Sequence, residues 1–135
     1  MISKQFPVRT SSALITDITK DVVQFCEGRG SGLLHIFAPH ATAGIALMET
    51  GSGSGQDLAE ALSRLLPRDN RYTHQHGSAG HGADHLLPTL LAPFAILAVI
   101  DSAPVLGTWQ SVVVVDTNQD RPDRTVRFTF MTDES

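Results

Sequence analysis

Six histidines, His35, His40, His74, His76, His81 and His85, are the residues of this chain best suited to chemistry. Four of them fall between His74 and His85, a dense cluster in an otherwise ordinary composition. Neutral imidazole is the commonest protein ligand for zinc and similar ions. His74 and His76 stand two apart and would share a face of an extended strand. No His-x-x-x-His falls on a helix that the sequence predicts, and the spacing matches no zinc-finger pattern. The competing reading is a solvated His/Gly loop that binds nothing. His35, inside an apolar run, reads as a core or interface histidine.

Other reactive or recognition residues are spread along the chain. Leu106-Gly107-Thr108-Trp109-Gln110 holds the only tryptophan and leads into an apolar run, Ser111 to Val115. An indole beside a carboxamide reads either as the lining of a cleft at a strand entrance or as a core plug. Glu49 follows an apolar segment and reads as a general base, a fourth metal ligand or a surface carboxylate. Arg121, Arg124 and Arg127 offer guanidinium forks that match phosphate oxygens, with solubilising edge-strand charge as the plainer role. The Gly/Ser stretch at 51–55 lacks the Lys-Ser/Thr ending of a P-loop, which argues against nucleotide binding. Cys26 lies on an apolar helical face and reads as a buried small hydrophobe rather than a reactive thiol.

These residues need elements to hold them. Phe6 to Ile15 reads as strand material broken around Ser11 and Ser12. Asp17 to Glu27 has helical spacing, with Ile18, Val22, Phe25 and Cys26 on one face, Thr16 as its cap and Gly28 beyond its end. Gly32 to Phe37 and Ala43 to Met48 read as strands separated by Pro39 and His40. Leu58, Ala61, Leu62 and Leu65 mark a helix that Pro67 stops. Tyr72 to His85 shows no usable periodicity and predicts a long loop or short hairpin. Phe94 to Ile100 reads as another strand. In the last strand Val126, Phe128 and Phe130 alternate with Thr125, Arg127 and Thr129, giving one dry and one wet face. The tally is about seven strands and two or three helices, with strands clustered late, an α+β pattern.

At 135 residues the chain fits one domain, spanning 1–135. Its formal charge of −4 and scattered cations argue against nucleic acid as a partner. No apolar run approaches the ~20 residues that span a bilayer, and Met1 to Gln5 carries no signal-peptide core. A lone cysteine excludes an internal disulfide framework. The expected location is therefore cytoplasmic, with no membrane partner.

Several blocks together resemble the YjbQ-like family of small proteins. They are His40-Ala41-Thr42-Ala43 leading to Glu49, Tyr72-Thr73-His74, Ala83-Asp84-His85-Leu86, Gly107-Thr108-Trp109-Gln110, and the C-terminal arginines. The resemblance runs from about Phe6 to Phe130. It implies a two-sheet β-sandwich with outer helices, trimerising through its sheets, and a secondary thiamine-phosphate synthase activity. That reaction joins a pyrimidine diphosphate to a thiazole phosphate and releases pyrophosphate.

Carried onto this chain, the resemblance implies a divalent metal, zinc or magnesium, on His40, His74 and His85. It places His40, Glu49, Trp109 and Gln110 in catalysis, and Thr42, Arg121 and Arg124 on the phosphorylated ligand. His76 and His81 have no assigned counterpart. The chain also departs from the family pattern. Thr50-Gly51-Ser52-Gly53-Ser54-Gly55 replaces an acidic stretch after Glu49, unless Asp57 substitutes for it, Ala41 replaces a threonine, and the arginines are shifted. Loss of the acidic stretch favours a non-catalytic binder of a metal or phosphorylated metabolite over an enzyme, and a structural trimer with no small ligand is the third reading.

Overall fold

The run Val112 to Val115 has apolar residues at every position, so whichever way its side chains alternate they must meet apolar partners on both faces. In the computed structural model this run is β7 (Ser111–Asp116), the centre of a three-layer arrangement. The structure describes residues 1–10, 13–74, 77, 80–118, 120 and 122–132.

One layer is a five-stranded antiparallel sheet in the order β1 (Ile2–Arg9), β8 (Asp123–Thr132), β3 (Gly32–Phe37), β5 (Phe94–Ile100) and β6 (Ala103–Pro104). The second is a three-stranded antiparallel sheet in the order β2 (Ile15–Asp17), β7 and β4 (Ala43–Met48). The third consists of α2 (Ser54–Leu65) and α3 (His81–Leu90). Val112 and Val114 join Leu34, Ile36, Val126 and Phe128 in the core that also takes in α1 (Thr19–Cys26). Val113 and Val115 face the other way, towards Leu62 of α2 and Leu87 of α3. Burying each of these valines completely is worth about 1.5–3 kcal/mol.

The α+β expectation of two sheets with helices outside holds, and among the described residues there are eight strands, one more than the seven expected, and three helices, within the two or three expected. The extra strand, β6, is a two-residue pairing after the Asp101–Ser102 turn, whose residues both take positive φ. The break expected at Ser11 and Ser12 lies outside the described residues. Thr16, expected to cap α1, instead pairs with Val114 inside β2. The N-cap position is Ile18, which offers no side-chain cap, and one residue earlier Asp17 Oδ1 accepts from the Thr19 amide at 2.9 Å and from the Thr19 hydroxyl at 2.6 Å. Cys26 is fully buried, and burial pushes its thiol pKa up, as expected of an inert side chain.

Tyr72 to His85 departs most from expectation. Its last five residues are not loop or hairpin but the first half of α3. Gly80, at φ +83, precedes the helix, and Pro88 lies inside it, removing the bond that the Asp84 carbonyl would otherwise accept. Glycine and proline at those places hide a helical signal that Ala83 and Leu87, both buried, provide. No described helix is long and apolar enough to cross a membrane.

Candidate metal and anion sites at one end of the sandwich

Strand alternation sends consecutive residues to opposite sides, and at the end of β7 it separates two polar clusters. Asp116 turns inward between the sheets, whereas the Thr117 hydroxyl donates outward to Asp84 of α3 at 2.6 Å.

On the outer side, His81 and His85 are one helical turn apart on α3 and so share a face. Their Nε2 atoms lie 2.8 Å from each other. His74 joins them from the preceding segment, with ring centroids 4.5 Å from His85 and 5.4 Å from His81. One nitrogen from each ring falls within 4.8 Å of the others. Gly82 makes this approach possible. A Cβ there would sit 2.7 Å from both the His74 carbonyl oxygen and Tyr72 Cβ. The Tyr72 hydroxyl donates to the Pro67 carbonyl at 2.6 Å and fixes the segment from its other end. Asp120 Oδ2 lies 4.0 Å from His81 Nδ1, the side of the ring away from His85. At that distance the carboxylate lies near the ring without a hydrogen bond to Nδ1.

Three imidazoles suit a borderline cation such as zinc, whereas magnesium prefers oxygen donors. Zinc–nitrogen bonds of ~2.0–2.1 Å in a tetrahedral site put neighbouring nitrogens about 3.3 Å apart. The His81–His85 pair therefore needs to open by a few tenths of an ångström, and any separation in the trio that approaches the 4.8 Å limit has to close. The donor set fits such an ion.

On the inner side, Arg124 is only 7% exposed and Asp116 only 1%. Arg124 Nε donates to Asp116 Oδ2 at 2.8 Å, and its Nη2 donates to Thr42 Oγ1 at 3.2 Å. Thr42 donates in turn to Asp116 Oδ1 at 3.2 Å, and the Asn118 amide donates to the same oxygen at 2.9 Å. His40 borders this network, its Nε2 lying 3.0 Å from the Thr125 nitrogen and 3.1 Å from the Thr125 oxygen. Burial, then the Arg124 charge, hold its imidazole pKa below the ordinary value, against weaker opposing effects of Thr125 and Asp116.

The expected site residues are thus divided. His74 and His85 meet, but the third imidazole is His81 and not His40, which is committed to β8. Arg124 and Thr42 belong to the inner network, where Asp116 already neutralises the guanidinium. Arg121 and His76 lie outside the described residues. Arg127 is exposed and donates to Ser3 Oγ at 3.0 Å and Gln5 Oε1 at 3.3 Å, the sheet-surface role. Asp57 is exposed in the first turn of α2.

Glu49, Trp109 and Gln110 lie at the opposite end of the β4–β7 ladder, where Met48 pairs with Ser111 while Ala43 pairs with Asp116. At ~3.3 Å per residue, that ladder separates them from the histidines by about 20 Å. Trp109 is 74% exposed, so it is neither a core plug nor the wall of a cleft within one chain. The Gln110 carboxamide accepts from the Gly107 amide at 2.8 Å and closes its own turn. His81 was hidden by the secondary structure. His81-Gly82-Ala83-Asp84-His85 has ligand spacing only once the segment is recognised as a helix.

The family model described as UPF0047 protein YjbQ-like matches residues 4–133. This chain belongs to the YjbQ/UPF0047 family. It is 55% identical over 124 residues to the UPF0047 protein Rv2556c of Mycobacterium tuberculosis, covering 92% of this chain and 93% of that protein. A UPF0047 protein of Archaeoglobus fulgidus is 30% identical over 83% of this chain and 87% of its own length. Among solved structures, hypothetical protein APE1520 of Aeropyrum pernix superposes with a TM-score of 0.87 at 26% identity, covering 98% of this chain and 100% of that one. Conserved hypothetical protein TT1486 of Thermus thermophilus gives 0.80 at 27% identity, covering 95% and 99%.

Proposed function

We propose that this protein binds a divalent transition-metal ion through His74, His81 and His85, and that it holds a small phosphorylated molecule by one of its oxygens at that ion. The observation that carries this reading is the convergence of three imidazole nitrogens within 4.8 Å of one another. An ion held by three imidazoles with a position left open supplies Lewis acidity towards a phosphate oxygen. The chain's own contribution is to orient the rings through α3 and Gly82.

Of the two forms this function could take, non-catalytic binding has the better support. Thiamine-phosphate synthesis would need cations on the departing pyrophosphate. Arg124, which the family resemblance assigned to the ligand, is buried and paired with Asp116. The trimer implied by the same resemblance has its own support in the outer face of the five-stranded sheet. Leu33, Phe94, Ile96, Ile100 and Met131 are all exposed there, and a continuous apolar sheet face favours burial against another copy.

The test is metal analysis of protein purified without a histidine tag. The wild type is expected to carry about one zinc per chain and His81→Ala none, with His40→Ala unchanged. Metal-free wild type, or loss in His40→Ala with retention in His81→Ala, overturns the assignment. Incubating the zinc form with both thiamine precursors separates the two forms, since formation of thiamine phosphate would make it an enzyme. Light scattering during size exclusion should give three times 14.5 kDa, and a monomer at micromolar concentration removes the trimer.

A further inference from the structure

Asp84 has no exposed surface, yet it carries a carboxylate between two candidate metal ligands in sequence. Burying a carboxylate is costly unless it is paired and hydrogen-bonded. Here it accepts from three donors. Arg68 reaches it with both terminal nitrogens, Nη1 to Oδ1 and Nη2 to Oδ2, the latter at 3.4 Å. Thr117 donates to Oδ1 at 2.6 Å. Arg68 belongs to the turn after α2, and Thr117 follows β7, so the carboxylate joins three elements at one point.

The same arginine lies against the start of α3. A Cβ at Gly80 would be 2.6 Å from Arg68 Cζ, so the helix begins directly on the guanidinium. At the other end of α3, the Ala92 carbonyl accepts from the Ile45 amide at 2.9 Å. The backbone bond after the C-terminus fixes where the helix lies, while Asp84 fixes its rotation about its own axis. Rotation is what matters to the histidines. At about 100° per residue, a turn of one position about the axis would carry His81 and His85 away from His74.

We propose that Asp84 is a positioning residue for the three-histidine site, its buried carboxylate locking the rotation of α3 through Arg68 and Thr117 so that His81 and His85 face His74. It touches neither ion nor ligand and acts through the two imidazoles beside it. The inference rests on the metal reading for its consequence but not for its geometry.

The test pairs Asp84→Asn with Leu62→Ala, a core substitution on α2 that loosens the cluster shared with Leu87 of α3 but leaves the partners of Asp84 in place. Asp84→Asn keeps an acceptor for Thr117 and loses the charge that holds Arg68. Outer-shell partners of metal ligands typically change affinity by ~10–100-fold. Titration of the chelator-stripped proteins with Zn²⁺ should show Asp84→Asn weakened by about 10-fold or more, and Leu62→Ala close to wild type although less stable to urea. Co²⁺-loaded Asp84→Asn should also show an altered visible spectrum, which a purely structural loss would not produce. Zinc affinity and cobalt spectrum both matching wild type would overturn the proposal. A second readout needs no metal. In the stripped protein the His81–His85 contact should protect a ring proton visible by NMR, present in wild type and Leu62→Ala and absent in Asp84→Asn. If wild type binds no zinc the metal reading fails, and that proton alone then decides the role of Asp84. Its persistence in Asp84→Asn would overturn it.

Discussion

The two polar clusters flanking the end of β7 begin from adjacent residues and do opposite things. The inner one, around Asp116 and Arg124, uses unlike charges and hydroxyl donors, so its groups are satisfied by one another with almost no solvent. The outer one brings together three like groups, imidazoles that share at most one proton per contact and converge at a partly exposed surface. A closed set of complementary partners holds structure together. A convergent set of like donors with solvent on one side is how ligand sites are built, since it is completed by something from outside. The difference assigns stability to one cluster and binding to the other, and substitutions can break that assignment.

The largest effect is expected at Asp116. Replacing it with alanine leaves the Arg124 guanidinium buried and unpaired, and breaking a buried pair in this way costs about 3–5 kcal/mol. Urea unfolding should show that loss, while zinc content at temperatures where the variant is still folded stays as in wild type. A variant of undiminished stability, or one that keeps its fold but loses its metal, would merge the two clusters into a single functional unit.

Gly82→Ala should show the converse pattern. The new Cβ would press on the His74 carbonyl and Tyr72 at 2.7 Å, so the 72–74 segment has to move off α3. Overpacking of this kind costs about 1–3 kcal/mol, and here the displacement falls on a proposed metal ligand. Zinc affinity should drop more, relative to wild type, than urea stability does. Equal affinity would mean that His74 is not needed.

Much of this architecture can be read from the chain, and the failures have identifiable causes. Strands β3, β4 and β5 follow the apolar runs residue for residue, because a run of four to eight apolar residues between turn signals leaves little choice. The helix carrying the site was concealed because Gly80, Gly82 and Pro88 all weigh against helix locally, whereas the packing of Leu87 with Val113 and Val115, and the burial of Ala83, outweigh them. The fate of Arg124 was in the sequence but in a different signal. It stands in phase with Val126, Phe128 and Phe130 on the dry face of β8, so strand parity buries it. What parity does not supply is the partner. Asp116 lies eight residues away on another strand, and only the sheet packing brings the two together.

The smallest expected effect concerns pH, at the border between the clusters. Burial and the Arg124 charge lower the His40 pKa, so the folded protein prefers the neutral ring. A group whose folded pKa is depressed below its unfolded value of about 6.5 contributes stability above that value. That contribution is lost as pH falls through the lower, folded pKa. The useful quantity is the difference in urea stability between wild type and His40→Gln, where contributions common to both proteins cancel. Glutamine can still accept from the Thr125 amide but does not ionise. The difference should be flat from pH 8 to about 6.5 and then move against wild type on acidification. Removing the Arg124 charge with Arg124→Gln should make that acid-side decline shallower, because the second-largest cause of the depressed pKa is gone. Zinc content at pH 7 should be indifferent to His40→Gln. If instead wild type and His40→Gln lose stability in parallel down to pH 5, the ring is not held neutral by its surroundings, and His40 belongs to neither cluster.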